Sequence, residues 1–417
     1  MKNVLFATTA LVALAGAASA QVTVSGKTTF GYNNTAMGGL YSDGSFTLRG
    51  DVDLGDNVTA YITWGASFEF NNDANDIAAV GLFNPNGGTD DDGVSWNGFP
   101  TVGIAYTGNN MNASLEYGPL AVASGKYYKS RAGMTTGLES ASKSDTDILA
   151  VLGFGDFSLA VGCNGVGDGV CDGLNYGLGA TFGSITLGAG FDDANNGARA
   201  IGVSADATFG ALSVGVSYAT ATGIIASGKT DGDDADYFNI VTPTATVNAL
   251  GTSVSIGLSA AYAISDAFSV DASFATNADT VTAARATSYA IGASYTAGAL
   301  TVKGAYANKA SLGFANTGVD ADGDGVSTTI AAAPGYTQTT TISADIVYAV
   351  NDAMSVLVGG QSSAATGNIP SIAAFNYYAG VKYTVNDNVS LTASFATAKK
   401  LGGGFQPGMT ASISASF

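Results

Sequence analysis

Histidine is missing from all 417 residues, and there are only two cysteines. Their scarcity removes Ser-His-Asp and Cys-His catalytic sites, together with any Cys/His cluster able to hold zinc. Charge is scarce too. Asp, Glu, Lys and Arg make up 12% of the chain, about half the usual share of roughly 25%. What charge exists is mostly negative, with 33 acids against 15 bases, so the basic surface that nucleic-acid binding requires is absent. Past Gln21 no stretch approaches the ~18 consecutive apolar residues of a spanning helix. No phosphate-cradling glycine loop stands out, and carboxylate pairs such as Asp51 and Asp53 lack any companion motif for glycoside chemistry. Disorder is excluded as well, because 46% of the chain is hydrophobic and it carries 20 Phe and 19 Tyr.

The N-terminus has the form of an export signal. Lys2 gives a positive start, Val4 to Leu14 form an apolar run, and Ala18-Ser19-Ala20 supplies the small residues of a cleavage site. Residues 1–20 are therefore expected to be a cleaved signal peptide, leaving 21–417 as one domain.

Hydrophobicity in that domain is spread over a period of two. Val22, Val24, Phe30 and Tyr32 share one parity, with Gly26 and Thr28 its weaker members, against Thr23, Ser25, Lys27 and Thr29. Phe46, Leu48, Val52 and Leu54 then oppose Ser45, Thr47, Arg49, Asp51 and Asp53, and Val58, Ala60, Ile62, Trp64, Phe68 and Phe70 oppose Thr59, Thr63, Ser67 and Glu69. Alternation of this kind makes strands with two unlike faces.

Nine tight breaks separate strand pairs: Gly55-Asp56-Asn57, Gly108-Asn109-Asn110, Gly155-Asp156, Gly183-Ser184, Gly210-Ala211, Ser265-Asp266, Ala297-Gly298, Asn351-Asp352 and Asn386-Asp387. The other connections, notably 71–99, 119–145, 222–250 and 309–338, are long and polar. Nine hairpins plus a first and a last strand predict twenty strands, an even number that puts both termini at the short-turn end. Ten residues per strand, tilted by about 45°, rise roughly 23 Å, close to the ~25 Å apolar band of an outer-membrane barrel. The expected fold is all-β: a transmembrane antiparallel β-barrel with short periplasmic turns and long extracellular loops.

One hairpin is written three times, at Tyr262–Val270, Tyr348–Val356 and Tyr383–Leu391, with aromatics beside the turn as an interfacial girdle requires. The last strand alternates Met409, Ala411, Ile413, Ala415 and Phe417 with Thr410, Ser412, Ser414 and Ser416.

The leader Lys2–Ala13, the alternating strands and the terminal Ile413-Ser414-Ala415-Ser416-Phe417 resemble the general porins of alphaproteobacterial outer membranes. The resemblance covers the whole chain. It implies a water-filled, usually trimeric channel set in lipid and lipopolysaccharide, an inward-folded third loop, and a terminal Phe417 read by the barrel-assembly machinery. Such porins resemble barrels of 16 strands, so the expected number runs from 16 to the 20 counted.

Selectivity of a channel follows from its lining. On the polar parity, Lys27, Arg49, Lys303 and Lys382 face Asp51, Asp53, Glu69, Glu116, Asp206, Asp271 and Asp345, seven acids against four bases. Weak cation preference follows if they line the pore; at the rim they would form solvated pairs of little effect. The loop 119–145 carries Lys126, Tyr127, Tyr128, Lys129, Arg131, Glu139 and Lys143. Folded inward, its cations would oppose the acidic wall and create a transverse field; the alternative is an ordinary exposed loop.

Cys163 and Cys171 enclose a short segment of an exported chain, so a disulfide across a loop is expected. It would be worth about 2 to 3 kcal/mol. Acids cluster at Asp90-Asp91-Asp92, at Asp231, Asp233, Asp234 and Asp236, and at Asp320, Asp322 and Asp324 before Gly325. The last opens like a calcium loop, although Ala331 stands where a bidentate Glu belongs. Structural calcium there competes with a merely solvated, anionic outer face, or with divalent ions bridging loops to lipopolysaccharide. No cofactor is required. The alternative to a channel is a secreted, calcium-binding β-rich surface or adhesive protein, and the direction of the apolar parity separates the two.

Overall fold

The computed structural model describes residues 20–35, 39–70, 93–96, 100–120, 122–132, 134, 146–164, 171, 173–193, 199–224, 250–279, 285–314, 334–366, 374–398, 400 and 405–417. The first half of the wall contains β1 (Ala20–Asn33), β2 (Gly39–Gly55), β3 (Val58–Phe70), β4 (Gly93–Trp96), β5 (Thr101–Thr107), β6 (Met111–Leu120), β7 (Thr146–Phe154), β8 (Phe157–Asn164), β9 (Gly173–Phe182), β10 (Ile185–Asp193) and β11 (Arg199–Phe209). The second half contains β12 (Leu212–Ile224), β13 (Leu250–Ala263), β14 (Phe268–Asp279), β15 (Arg285–Ala297), β16 (Leu300–Phe314), β17 (Pro334–Ala349), β18 (Met354–Thr366), β19 (Ala374–Asn386), β20 (Val389–Ala396) and β21 (Gly408–Ser416). The one helix among the described residues, α1 (Ala123–Tyr127), lies between β6 and β7. No described helix is long and apolar enough to cross a membrane.

Every strand pairs antiparallel with its neighbours in one sheet, and β1 pairs with β21, which closes the barrel. The segments β4 and β5 bond to successive stretches of β3 and share one place in the wall. Pro100, which has no N–H to donate to a ladder, directly precedes β5. The result is the expected closed barrel of twenty strand positions. Closure is what allows a sheet to stand in lipid, since no edge is left with unsatisfied N–H and C=O groups.

All nine predicted hairpin turns form, and residue chemistry explains them. Asp56 and Asn57 both have positive φ, 51° and 65°, as a type I′ turn requires. In Gly155-Asp156, Gly183-Ser184 and Gly210-Ala211 the glycine alone takes positive φ, the pattern of the II′ turn. The thrice-written hairpin folds the same way each time. The residue before the turn aspartate, Ser265, Asn351 or Asn386, accepts a backbone N–H from two residues further on at 2.9–3.3 Å.

Apolar parity points outward. Val22, Val24, Phe30, Leu178, Ile201, Val216, Ile291, Val358 and Ile413 are exposed on that face. A row of exposed aromatics, including Phe154, Phe182, Phe209, Tyr295, Tyr348, Tyr383 and Phe417, stands beside the tight turns. A second row, including Tyr32, Tyr117, Tyr218, Tyr289, Phe375 and Tyr377, stands nearer the long-loop end. Phe375 and Tyr383 are eight residues apart on β19, which at about 45° of tilt spans roughly 19 Å of depth between the girdles. A secreted sandwich or solenoid is not the architecture found.

Two expectations need correction. Strands reach further into the long connections than alternation suggests: β6 runs to Leu120, β12 through Ile224, β13 starts at Leu250, β16 continues to Phe314 and β17 starts at Pro334. The 71–99 connection also contains β4. Ladder bonds are made by the backbone, so pairing continues past the apolar band, where no parity rule applies. Residues 1–19, the bulk of the expected signal peptide, lie outside the described residues.

Candidate constriction and charged inner wall

Because the apolar parity faces out, the opposite parity faces the lumen. Lys27, Arg49, Asp51, Asp53, Glu116, Asp206, Asp271, Lys303, Asp345 and Lys382 all stand on that inner face by register. The side chain of Glu69, opposite Asp43 in the β2–β3 ladder, is not among those described. Arg49, Asp51, Glu116, Asp206, Asp271, Lys303, Asp345 and Lys382 each sit four to seven residues from a tight turn, so they form a belt near one level. Lys27 stands at the seam instead, between Ser416 of β21 and Ser45 of β2.

The segment after β6 folds onto this inner face. The N–H of Ala123 donates to Asn175 Oδ1 at 2.7 Å, that of Lys129 donates to Ser204 Oγ at 3.1 Å, and the Ser217 hydroxyl donates to the Lys129 carbonyl at 2.5 Å. Inward glycines make room for it. A Cβ on Gly177, Gly188 or Gly190 would come within 2.1, 2.0 and 2.2 Å of the carbonyl oxygens of Ala123, Tyr127 and Ser124. Two small apolar clusters lie beneath the segment, Leu120, Ala123, Leu149 and Ala160 in one, Tyr128, Ala200, Ala219 and Ala221 in the other.

Charge completes the docking. Arg131, with 10% of its side chain exposed, places Nη2 2.8 Å from Asp206 Oδ1, and Lys129 Nζ lies 3.8 Å from Asp206 Oδ2. Arg131 Nη2 also donates to the Ala205 carbonyl at 3.3 Å. Burial pushes the Tyr128 hydroxyl up to about 12, against the opposing influence of Arg131. Lys126 is exposed on α1. Glu139 and Lys143 lie outside the described residues.

Two further charge groups share one design. Tyr61 reaches across Gly103, where a Cβ would meet its ring at 2.5 Å, and donates to Glu116, while Arg49 stacks 4.3 Å above that ring and binds Asp51 at 2.9 Å. Tyr378 likewise reaches across Gly359 and donates to Asp345, while Lys400 sits 4.5 Å above its ring and 2.8 Å from Asp345 Oδ2. In both, a glycine strand lets a tyrosine span to a carboxylate, and a cation covers the tyrosine face. Burial alone would lower the Lys400 pKa, but its bonds to Asp345 and Tyr378 outweigh that and raise it.

Sequence reading missed Tyr61, Tyr378, Lys400 and the docking glycines. A signal was present. On β7, Ile148 to Leu152 is apolar on both parities, and Gly177/Gly179 and Gly188/Gly190 repeat at two-residue spacing on the inward parity. Both mark a wall covered from inside.

Cys163 and Cys171 are joined in a disulfide, as expected. Asp90, Asp91, Asp92, the cluster from Asp231 to Asp236, and Asp320, Asp322 and Asp324 lie outside the described residues. No cluster of three or more metal-ligating side chains occurs among those described.

A closed barrel with an apolar exterior, a charged interior and a loop folded onto its inner wall defines a β-barrel membrane channel. The chain belongs to the Gram-negative porin family, whose model matches residues 7–257. It is accordingly a multi-pass barrel of the outer membrane. Among solved structures it is similar to a triple mutant of Rhodopseudomonas blastica porin, with 12% identity, a TM-score of 0.40, and coverage of 95% of this chain and 100% of that one. It is also similar to Vibrio cholerae OmpT in a trimer form, with 11% identity, TM-score 0.39, and coverage of 96% and 99%. Salmonella typhi OmpF in complex with daunomycin gives 14% identity, TM-score 0.38, and coverage of 95% and 97%. No curated protein matches significantly.

Proposed function

We propose that this porin is a water-filled pore for passive diffusion of small hydrophilic solutes and ions, with weak preference for cations, assembled as a homotrimer. The observation that carries the reading is the inner belt of charge on a closed wall, narrowed by the segment docked on β9 to β13. Acids outnumber bases on the wall strands, but Asp51, Asp206 and Asp345 are each ion-paired. Only a mild excess of negative potential is then left to favour cations.

The docked cations Lys126, Lys129 and Arg131 exceed the single charge of Asp206 beneath them, while Asp51, Asp53 and Glu116 on β2 and β6 exceed that of Arg49. That contrast supports a transverse field that orients dipolar solutes at the narrowing. Passive diffusion needs no cofactor. Outer-membrane lipid and lipopolysaccharide would cover the apolar exterior, and the barrel-assembly machinery would read Phe417.

Single-channel recording in planar bilayers tests the reading, with reversal potential measured across a salt gradient before and after calcium is added. Stable large steps with a modest cation-sided reversal potential are expected. Folded protein that inserts and gives no steps would overturn it. Cross-linking and unheated gel mobility test the trimer separately.

A further inference from the structure

Among the described residues of the connection between β20 and β21, Lys400 and Phe405 lie against the inner wall, far round it from the first docked segment. The connection's entry is held by Asn376, whose Nδ2 donates to the Ala398 carbonyl at 2.7 Å and whose Oδ1 accepts the Ala398 N–H at 3.0 Å and the Thr397 hydroxyl at 2.9 Å. Its exit is held by Asn33, which donates to the Pro407 carbonyl at 3.1 Å. Between them the Lys400 N–H bonds the Phe405 carbonyl at 3.1 Å. The Phe405 ring packs 4.8 Å from that of Tyr378, over Gly380, whose Cβ would lie 3.1 Å from it. Asn376 is 4% exposed and Tyr378 fully buried, so this is a built contact with the wall.

We infer that Lys400 is a selectivity-determining residue of a second inward constriction element, acting by neutralising Asp345 in the lumen. The inference rests on the diffusion-pore reading and adds to it a residue from the last connection. Three facts converge. Asp345 stands in the inner charge belt, directly opposite Lys303 on the neighbouring strand. Lys400 does not come from the wall at all, so its charge is an addition to the lining counted strand by strand. Finally, the Tyr61 group takes its cation, Arg49, from the neighbouring wall strand β2, whereas the Tyr378 group takes its cation, Lys400, from outside the wall strands.

With Lys400 paired to it, Asp345 gives passing cations little attraction. Removing the Lys400 charge exposes a carboxylate to the lumen, and a unit charge about 10 Å from the ion path through water, screened by salt over about one Debye length, changes the cation-to-anion permeability ratio roughly twofold. Larger effects follow where the lumen is narrow and its effective dielectric constant lower.

The experiment measures reversal potentials for the wild type, Lys400→Gln, Asp345→Asn and the double variant, each checked for barrel folding by heat-modifiable gel mobility. Lys400→Gln is expected to raise the cation-to-anion permeability ratio about twofold. Asp345→Asn is expected to lower it by a similar factor, and the double variant to return near wild type. Unchanged ratios in folded, conducting single variants would overturn the inference and leave the pore reading intact. If Lys400→Gln does not fold, Asp345→Asn alone decides. A wild-type protein that folds and does not conduct defeats the pore reading itself.

Discussion

The ring of Phe417 lies over Gly26, with its Cζ 2.8 Å from where a Cβ on that glycine would stand, and the two residues exchange backbone hydrogen bonds of 2.9 and 3.0 Å. The C-terminal residue thus caps the seam where β21 meets β1. Gly26 looked like a weak member of the apolar parity in sequence; in the barrel it is the seat for that ring.

Assembly therefore depends on both partners. Deleting Phe417 is expected to reduce the folded, heat-modifiable fraction in cells several-fold. Gly26→Val, which also overlaps the Ser45 carbonyl, is expected to cost about 1 to 3 kcal/mol through overpacking. Wild-type amounts of folded barrel from both variants would remove the seam from the account of closure.

The docking groove seats the segment proposed to narrow the pore. Gly188→Val puts side-chain atoms where the Tyr127 carbonyl now lies, so the segment must leave the wall. Single-channel conductance and its noise are expected to change, with far-UV circular dichroism unaltered. A folded variant of unchanged conductance would mean that the segment does not limit flow.

On the proposed reading, wall charge sets selectivity. Reversing Asp271 and Glu69 to Lys is expected to move the reversal potential toward anions. Arg131→Gln, which strips Asp206 of its closest partner, is expected to move it the other way by roughly twofold in permeability ratio. Either residue set that leaves the potential unmoved does not act on the ion path.

The Cys163–Cys171 bridge closes a short loop at the ends of β8 and β9. Non-reducing peptide mapping of exported protein should recover the linked pair. Reduction is expected to leave conductance intact and lower stability by about 2 to 3 kcal/mol at most. Two free thiols in the exported chain would defeat the assignment.

Turn positions, the strand count and the facing of nearly every wall charge were legible because each depends on a few adjacent residues. Asp56-Asn57 makes its turn from local backbone preference, and Asp206 faces inward because its neighbours Ala205 and Ala207 share the parity of Val203. The partners that the inward connections find on the wall were not legible from alternation, for the opposite reason. Lys400 meets Asp345 only after four strands have been threaded and registered, and Tyr378 reaches that carboxylate only because Gly359 happens to stand between them. Alternation states which face a residue takes and is silent on what later covers it. The ends of β16 and β17 escaped for a related reason, since a backbone ladder outside lipid leaves no hydrophobic trace.

The glycine groove under Ala123 to Tyr127 has a consequence for how such a barrel changes over time. Perimeter grows with every hairpin added to a closed wall, and twenty strands enclose a bore far wider than a sieve for small solutes needs. If the peptide laid along the inside sets the calibre of the passage, as proposed, girth and aperture are separate variables. A lineage can gain or lose hairpins away from β9 to β13 and keep its sieve, or regrade the sieve by a few substitutions in the groove without altering the wall.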